Sequence, residues 1–271
     1  KGPPKPGGNE GAGEVVKIGA TVKGVREGER VMGRCAGAFA EFALMDRREA
    51  LPIPAGLSFA QAAAIPLTFM VVHDMLIGQG ALRAGEWLLV TGVSSGVVVA
   101  ALQAAKALGA RVIGTSGSEA KLAKLKSLGL DVALRTRAPD FLPQVREATG
   151  GQGVNLIVNT VGGSVVPECI KALAFQGRMA IVGYVDGVLH AEVDFDAVHA
   201  KRLRIFGVSN KLRSAEQRAE TVRGFSRDFL PLFAAGRIAP LVDRAFSFAE
   251  LPAAKAYMEA DAHVGKIVLT M

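Results

Sequence analysis

The chain has 271 residues, half of them hydrophobic, enough for one large domain or two modest ones with real cores. The net charge is +7, from 32 basic and 25 acidic residues. The basic residues are scattered among acids and only 6% of the chain is aromatic, which argues against a nucleic-acid platform and fits an enzyme surface suited to anionic cofactors. No uninterrupted apolar stretch reaches membrane-span length and no signal-peptide pattern occurs. Cys35 and Cys169 lie far apart and read as free thiols of a cytoplasmic protein.

The chain opens on Lys1 rather than Met, inside a Pro/Gly-rich loop (KGPPKPGGNEGAG), and the reading expects its natural beginning to be missing. The first third predicts short strands over residues 14–18, between Gly19 and Gly24, from Arg30, and over 38–45 (AFAEFALM). Strands this short, with turns every 8–12 residues, predict a small barrel or sandwich. Ser58 then caps a predicted helix over 59–65, Pro66 interrupts it, and a further helical stretch runs to about Ile77.

The most informative segment follows, residues 87–114 (WLLVTGVSSGVVVAALQAAKALGARVIG). An apolar run meets a turn rich in Gly and Ser, then an Ala-rich helix over 97–108, Gly109 and a second apolar run. Such a strand–turn–helix–strand unit aims free backbone N–H groups and the positive helix end at one spot, where a pyrophosphate fits. The turn, Gly92 to Val98, departs from the three-glycine fingerprint, because Val98 stands where a small residue is usual. Beyond it the alternation is regular. Helices are predicted over 119–128, 140–149 and 167–173. Strands are predicted over 131–134, 155–161, 178–184 and 203–208. A long helix over 215–235, a strand over 244–248, a helix over 249–259 and a last strand over 266–270 complete the chain. This predicts an α/β protein: a doubly wound parallel (Rossmann) sheet over 70–209, plus a smaller β-rich lobe split between 1–69 and 210–271.

The layout and its motifs resemble the zinc-free branch of the medium-chain dehydrogenase/reductases, the quinone oxidoreductase-like enzymes. The markers are Gly8-Asn9-Glu10-Gly11-Ala12-Gly13-Glu14-Val15-Val16, Gly28-Glu29-Arg30-Val31, Ala62-Ala63-Ala64-Ile65-Pro66-Leu67, the Gly-rich turn, Thr160-Val161-Gly162-Gly163 and Gly265-Lys266-Ile267-Val268-Leu269. The resemblance implies that the split lobe is GroES-like, and that its first strands precede the equivalent of Lys1. Zinc-dependent relatives carry a ligating His where Asn9 stands. With no clustered Cys and only His73, His190, His199 and His263, no metal site is expected.

Cofactor choice is read at the second strand of the dinucleotide domain. NAD selectivity wants a carboxylate about 20 residues past the Gly turn. Here the stretch is Gly114-Thr115-Ser116-Gly117-Ser118-Glu119-Ala120-Lys121, so hydroxyls and a lysine predict a pocket for the 2′-phosphate of NADPH. The resemblance implies the same for Ser116 and Lys121, with Arg135 as a further contact after the third strand. It also implies cofactor contacts at Ser94, Ser95, Gly96 and Val97 of the turn, and at Thr160, Val161, Gly183, Tyr184, Phe206, Gly207, Val208 and His263. No catalytic residue is identified, and Tyr184 and His73 are the candidates for donating a proton or hydrogen bond. Their plainer roles are a packed loop tyrosine and a satisfied structural histidine. The expected activity is NADPH-dependent, zinc-independent hydride transfer to a small molecule, a quinone or an α,β-unsaturated carbonyl. An enoyl thioester reductase, or nucleotide binding without turnover, is the alternative. The apolar strand 203–208 is expected at a sheet edge, pairing two copies into a homodimer.

Overall fold

The computed structural model describes residues 6–92, 96–260 and 263–271, and its contacts divide the chain into two units. One comprises residues 1–70 and 213–271, the other residues 71–212.

In the first unit, β1 (Glu10–Glu14), β2 (Arg30–Arg34) and β3 (Ala50–Pro52) form an antiparallel sheet in that order, with Met32 facing Ala12 and Leu51. β1 begins and ends earlier than expected. The alternating segment 38–45 is not a strand: its backbone finds no ladder partner among the described residues, and Phe42 and Leu44 stay exposed. Alternation alone does not make a strand where no neighbour takes the backbone bonds. Helix α1 (Phe59–Ala63) starts at Ser58 through a reciprocal bond pair with Gln61. Pro66 does not break a helix but opens the next one, α2 (Pro66–His73), since a proline in the first turn leaves no bond unmade.

The second unit begins within α2, at Val71. The helix widens into a π-helical turn over Asp74–Gly78. Then come β4 (Trp87–Thr91), α3 (Gly96–Ala107), β5 (Arg111–Ser116), α4 (Glu119–Ser127), β6 (Val132–Arg135), α5 (Leu142–Ala148), β7 (Val154–Asn159), α6 (Val166–Ala172), β8 (Leu173–Ile181), α7 (Phe195–Lys201) and β9 (Arg204–Gly207). All six strands pair in parallel in the order β6-β5-β4-β7-β8-β9. This is the doubly wound order of a dinucleotide-binding domain. Leu88, Leu89, Ile113, Leu156, Ile157 and Met179 are fully buried, as expected for strands covered on both faces. β8 starts five residues before the expected 178, but the register jumps from Val154↔Leu173 to Leu156↔Arg178, so residues 174–177 bulge out of the ladder. Helix α7, which composition did not signal, is capped by the Asp194 side chain. β9 ends the strand order and is therefore an edge, as expected.

The chain then returns to the first unit. The expected helix 215–235 is two helices, α8 (Ala215–Asp228) and α9 (Leu230–Ala234), because Pro231 cannot continue the first. After them, β10 (Val242–Ser247) and β11 (Lys266–Thr270) pair in parallel around α10 (Leu251–Glu259). Two polar ties join the chain's two ends within this unit. Buried Glu49 accepts from Arg218 Nε at 2.8 Å, and Glu10 holds both Lys266 and the Leu67 amide. Phe69, Phe225, Phe229 and Phe233 stack edge-on as its apolar counterpart. Among the described residues no helix is long and apolar enough to cross a membrane.

One ion pair staples the second unit. Arg178 on β8 donates Nε to Gly80 O (2.7 Å) and Nη2 to Ala81 O (3.0 Å), and grips both oxygens of Glu86 at 3.0 and 2.8 Å. The fork holds the segment that leads into β4. Burial pushes the Glu86 carboxyl up, but the Arg178 fork and the Arg83 amide outweigh it and hold the group below its usual range. Arg178→Met should cost about 3 kcal/mol in urea unfolding, by leaving a carboxylate and two carbonyls unpaired. A carboxylate with a lowered folded pKa stabilises fully above its unfolded value and loses that contribution as pH falls through the folded one. Glu86→Gln should therefore be less stable at neutral pH, and should lose less further stability than the parent when acidified to about pH 3. A parallel loss in both chains would disprove the assignment.

Candidate cofactor site

The strand order reverses between β4 and β7, so their crossovers leave on opposite faces and a crevice opens at the carboxyl ends. The turn after β4 begins at Gly92, with φ +71°, where a side chain is strained; a Cβ there would also lie 3.0 Å from Thr160 Oγ1 and from Val161 Cγ2. Ser94 and Ser95 lie outside the described residues. Gly96 and Val97 open α3, aiming its N-terminus at the same edge, and Val98 is buried against the core in place of a small residue.

The turn after β7 is more sharply determined. Gly162 has φ +131°, a conformation open essentially to glycine, and a Cβ would strike the Asp186 carboxylate at 2.0 Å. That carboxylate accepts from the Ser164 amide (3.0 Å), the Ser164 hydroxyl (2.5 Å) and the Val188 amide (2.8 Å). Burial raises the Asp186 pKa, but these bonds prevail and lower it. Asp186 N and Gly163 N bond to Val161 O and Val188 O, so the loops after β7 and β8 are sewn together. Thr160 and Val161 spend their amides internally, on Thr91 Oγ1 and Asn159 Oδ1, and their carbonyls accept from Val185 and Asp186. What Val161 has left for a ligand is its side chain and one carbonyl lone pair. Gly183 packs against the Thr160 carbonyl, at 3.1 Å for a built Cβ.

The structure brings Gly96, Val97, Thr160, Val161 and Gly183 to the carboxyl edge of one sheet, with Phe206, Gly207 and Val208 at the end of the edge strand. Tyr184 is on the exposed loop after β8, while His73 is buried at the end of α2. His263 belongs to the first unit, near Tyr257, and its Nδ1 is buried without a hydrogen-bond partner among the described residues.

At the end of β5, Ser116 is buried and its hydroxyl accepts from the Ser118 amide (3.1 Å); the Ser118 hydroxyl in turn caps α4 by accepting from the Lys121 amide. The strand thus ends in hydroxyls and amides, with Lys121 one turn into the helix. Arg135 makes an exposed ion pair with Glu119, in the first turn of α4, at 3.1 Å. Arg137, two residues on, lies over Gly117, where a Cβ would meet its Nε at 2.1 Å. Arg137 was not among the expected contacts. Its place depends on how the chain turns after β6, which no local pattern announces.

Among the described residues no three His, Cys, Asp or Glu side chains are grouped to hold a metal ion, and Asn9 stands in the first marker. Cys35 and Cys169 are both buried, and burial raises the pKa of each thiol.

Comparison with known proteins agrees with this geometry. A profile described as alcohol dehydrogenase GroES-like domain matches residues 1–55, and one described as zinc-binding dehydrogenase matches residues 96–223. Erythronolide synthase EryA2 of Saccharopolyspora erythraea is 34% identical over 265 residues, 97% of this chain and 7% of that protein. The quinone oxidoreductase-like protein 2 homolog of Nematostella vectensis is 34% identical over 183 residues, 66% of this chain and 50% of its own length. Among solved structures, a mycobacterial protein complexed with NADPH superposes with a TM-score of 0.84 at 27% identity, over 97% of this chain and 82% of that one. CurK enoyl reductase superposes at 0.83 and 26% identity, over 98% and 79%. The chain spans 7 to 12% of the length of the first polyketide synthases it matches. Its two matched regions in chain order, its strand order and its glycine-bearing crevice place the chain in the medium-chain dehydrogenase/reductases, an oxidoreductase family working with a nicotinamide cofactor.

Proposed function

We propose that the chain is a zinc-independent, NADPH-dependent reductase of α,β-unsaturated carbonyl compounds, with an enoyl thioester as the preferred acceptor. The observation that carries the cofactor choice is the end of β5: Ser116 where NAD selectivity wants an acid, with Arg137 and Lys121 beside it. Their charges suit a 2′-phosphate. The acceptor is argued from the relatives, several of them polyketide synthases, and from the likeness to an enoyl reductase. The quinone oxidoreductase-like relative supports a second reading, in which the acceptor is a quinone.

NADPH, when bound, supplies a hydride. The glycine turns let the backbone approach the cofactor, and the sewn loops after β7 and β8 fix the surface on which its ring is oriented. Reduction of a carbon–carbon double bond takes the hydride at the β-carbon and a proton at the α-carbon, with the transient enolate oxygen held by hydrogen bonds in place of a metal. Tyr184 and His73 remain the candidates for those bonds. The exposed edge strand β9, with Ile205 turned outward, supports a homodimer joined edge to edge. Two buried, unpaired thiols suit a reducing compartment, so the proposal places the protein in the cytoplasm.

Lys121→Ala and Arg137→Ala should each weaken NADPH binding by about 1–2 kcal/mol and leave NADH nearly unchanged in a fluorescence titration. Equal losses for both coenzymes would falsify the 2′-phosphate role. Activity should survive a chelator, and elemental analysis should find no stoichiometric zinc; one zinc per chain would overturn the metal-free reading. Ile205→Pro removes a backbone donor from the edge and should turn dimers into monomers in sedimentation. A parent chain that is monomeric at micromolar concentration would refute the dimer.

A further inference from the structure

Asn159 ends β7 and is fully buried. A buried carboxamide must satisfy both of its ends. Its Oδ1 accepts from the Val161 amide (3.0 Å), the Gly162 amide (3.1 Å) and the Thr91 hydroxyl (3.2 Å), and its Nδ2 donates to Gly162 O at 2.9 Å. Two backbone N–H groups on one oxygen leave no ambiguity about which way the amide faces. The Thr91 hydroxyl also accepts from the Thr160 amide (3.3 Å), and Thr160 Oγ1 donates to Thr91 O at 2.6 Å. One buried network thus joins the last residues of β4 and β7, the two strands at the order reversal. Each is followed by a glycine with positive φ, Gly92 directly and Gly162 three residues on.

We propose that Asn159 is a positioning residue for the cofactor. Its carboxamide sets the shape of the turn after β7, which receives the nicotinamide end, and through Thr91 it ties that shape to the turn after β4, which receives the pyrophosphate. This rests on the cofactor reading above. A carboxylate in the same place keeps the accepting oxygen but sets a second oxygen 2.9 Å from the Gly162 carbonyl. The protonated acid donates there again. Burial raises such an acid above the ordinary Asp value of about 3.9, so its titration falls within reach of experiment.

The test is NADPH titration of the parent and Asn159→Asp chains at pH 8 and pH 6, with circular dichroism reporting the fold at each pH. The 2′-phosphate itself titrates near pH 6, so the ratio of variant to parent affinity is read at each pH. Asn159→Asp should bind about tenfold or more weakly at pH 8, and the gap should shrink several-fold at pH 6. Thr91→Val should also weaken binding about tenfold, and Thr91→Ser, which keeps the hydroxyl, should recover most of it. A folded Asn159→Asp chain that matches the parent at both pH values, or whose deficit is independent of pH, overturns the proposal. If that variant unfolds, equal affinities of Thr91→Val and Thr91→Ser overturn it. A parent chain that does not bind NADPH overturns the cofactor reading and this role with it, a result distinct from parent binding with unaffected variants.

Discussion

A parallel strand cannot reach its neighbour by a tight turn; it must cross over, and a sheet built only from crossovers is covered on both faces. The six-stranded sheet obeys this constraint, and most of what the second unit does follows from it. Its strand interiors are apolar because neither face meets water. Polar groups that must be both buried and aimed at a ligand have one place left, the carboxyl ends of the strands. Thr91, Thr115, Ser116, Asn159 and Thr160 all stand there, and all are buried. The reversal of order between β4 and β7 then selects which part of that edge becomes a crevice.

Around the crevice, backbone conformation does more than side-chain chemistry. Gly92 and Gly162 occupy conformations that strain other residues, and each faces an atom that a Cβ would crowd. Asn159 and Asp186 hold the surrounding turns by accepting backbone amides, in place of packing against a core. Internal bonds occupy the amides of Thr160 and Val161, so a ligand there meets carbonyl lone pairs and side chains.

The first unit meets a different demand. It is assembled from the two ends of the chain, and neither half brings enough strands for a closed sheet: three antiparallel strands from one end and a parallel pair from the other. Ion pairs of Glu49 with Arg218 and of Glu10 with Lys266, with the phenylalanine cluster, join the halves. Glu49 is buried, so its arginine partner is a condition of the fold rather than an ornament of the surface.

Much of this was legible in the sequence. Alternating apolar runs and Ala-rich helices marked the parallel sheet. Gly92 and Gly109 marked turn and helix ends, and Ser58 marked a cap. Those signals are local, set by backbone freedom, capping and periodicity within a few residues. The boundary errors were local too: Pro66 and Pro231 stop or start helices according to which turn they fall in. Tertiary structure alone decided the rest. Residues 38–45 carry a strand's alternation and make no strand, because pairing is a property of two segments. Arg137 rather than Arg135 covers Gly117, because the chain's direction after β6 depends on what it packs against. Asn159 reads in sequence as one polar residue closing an apolar run; only the sheet order, which brings Thr91 beside it from 68 residues away, makes it the joint between two turns.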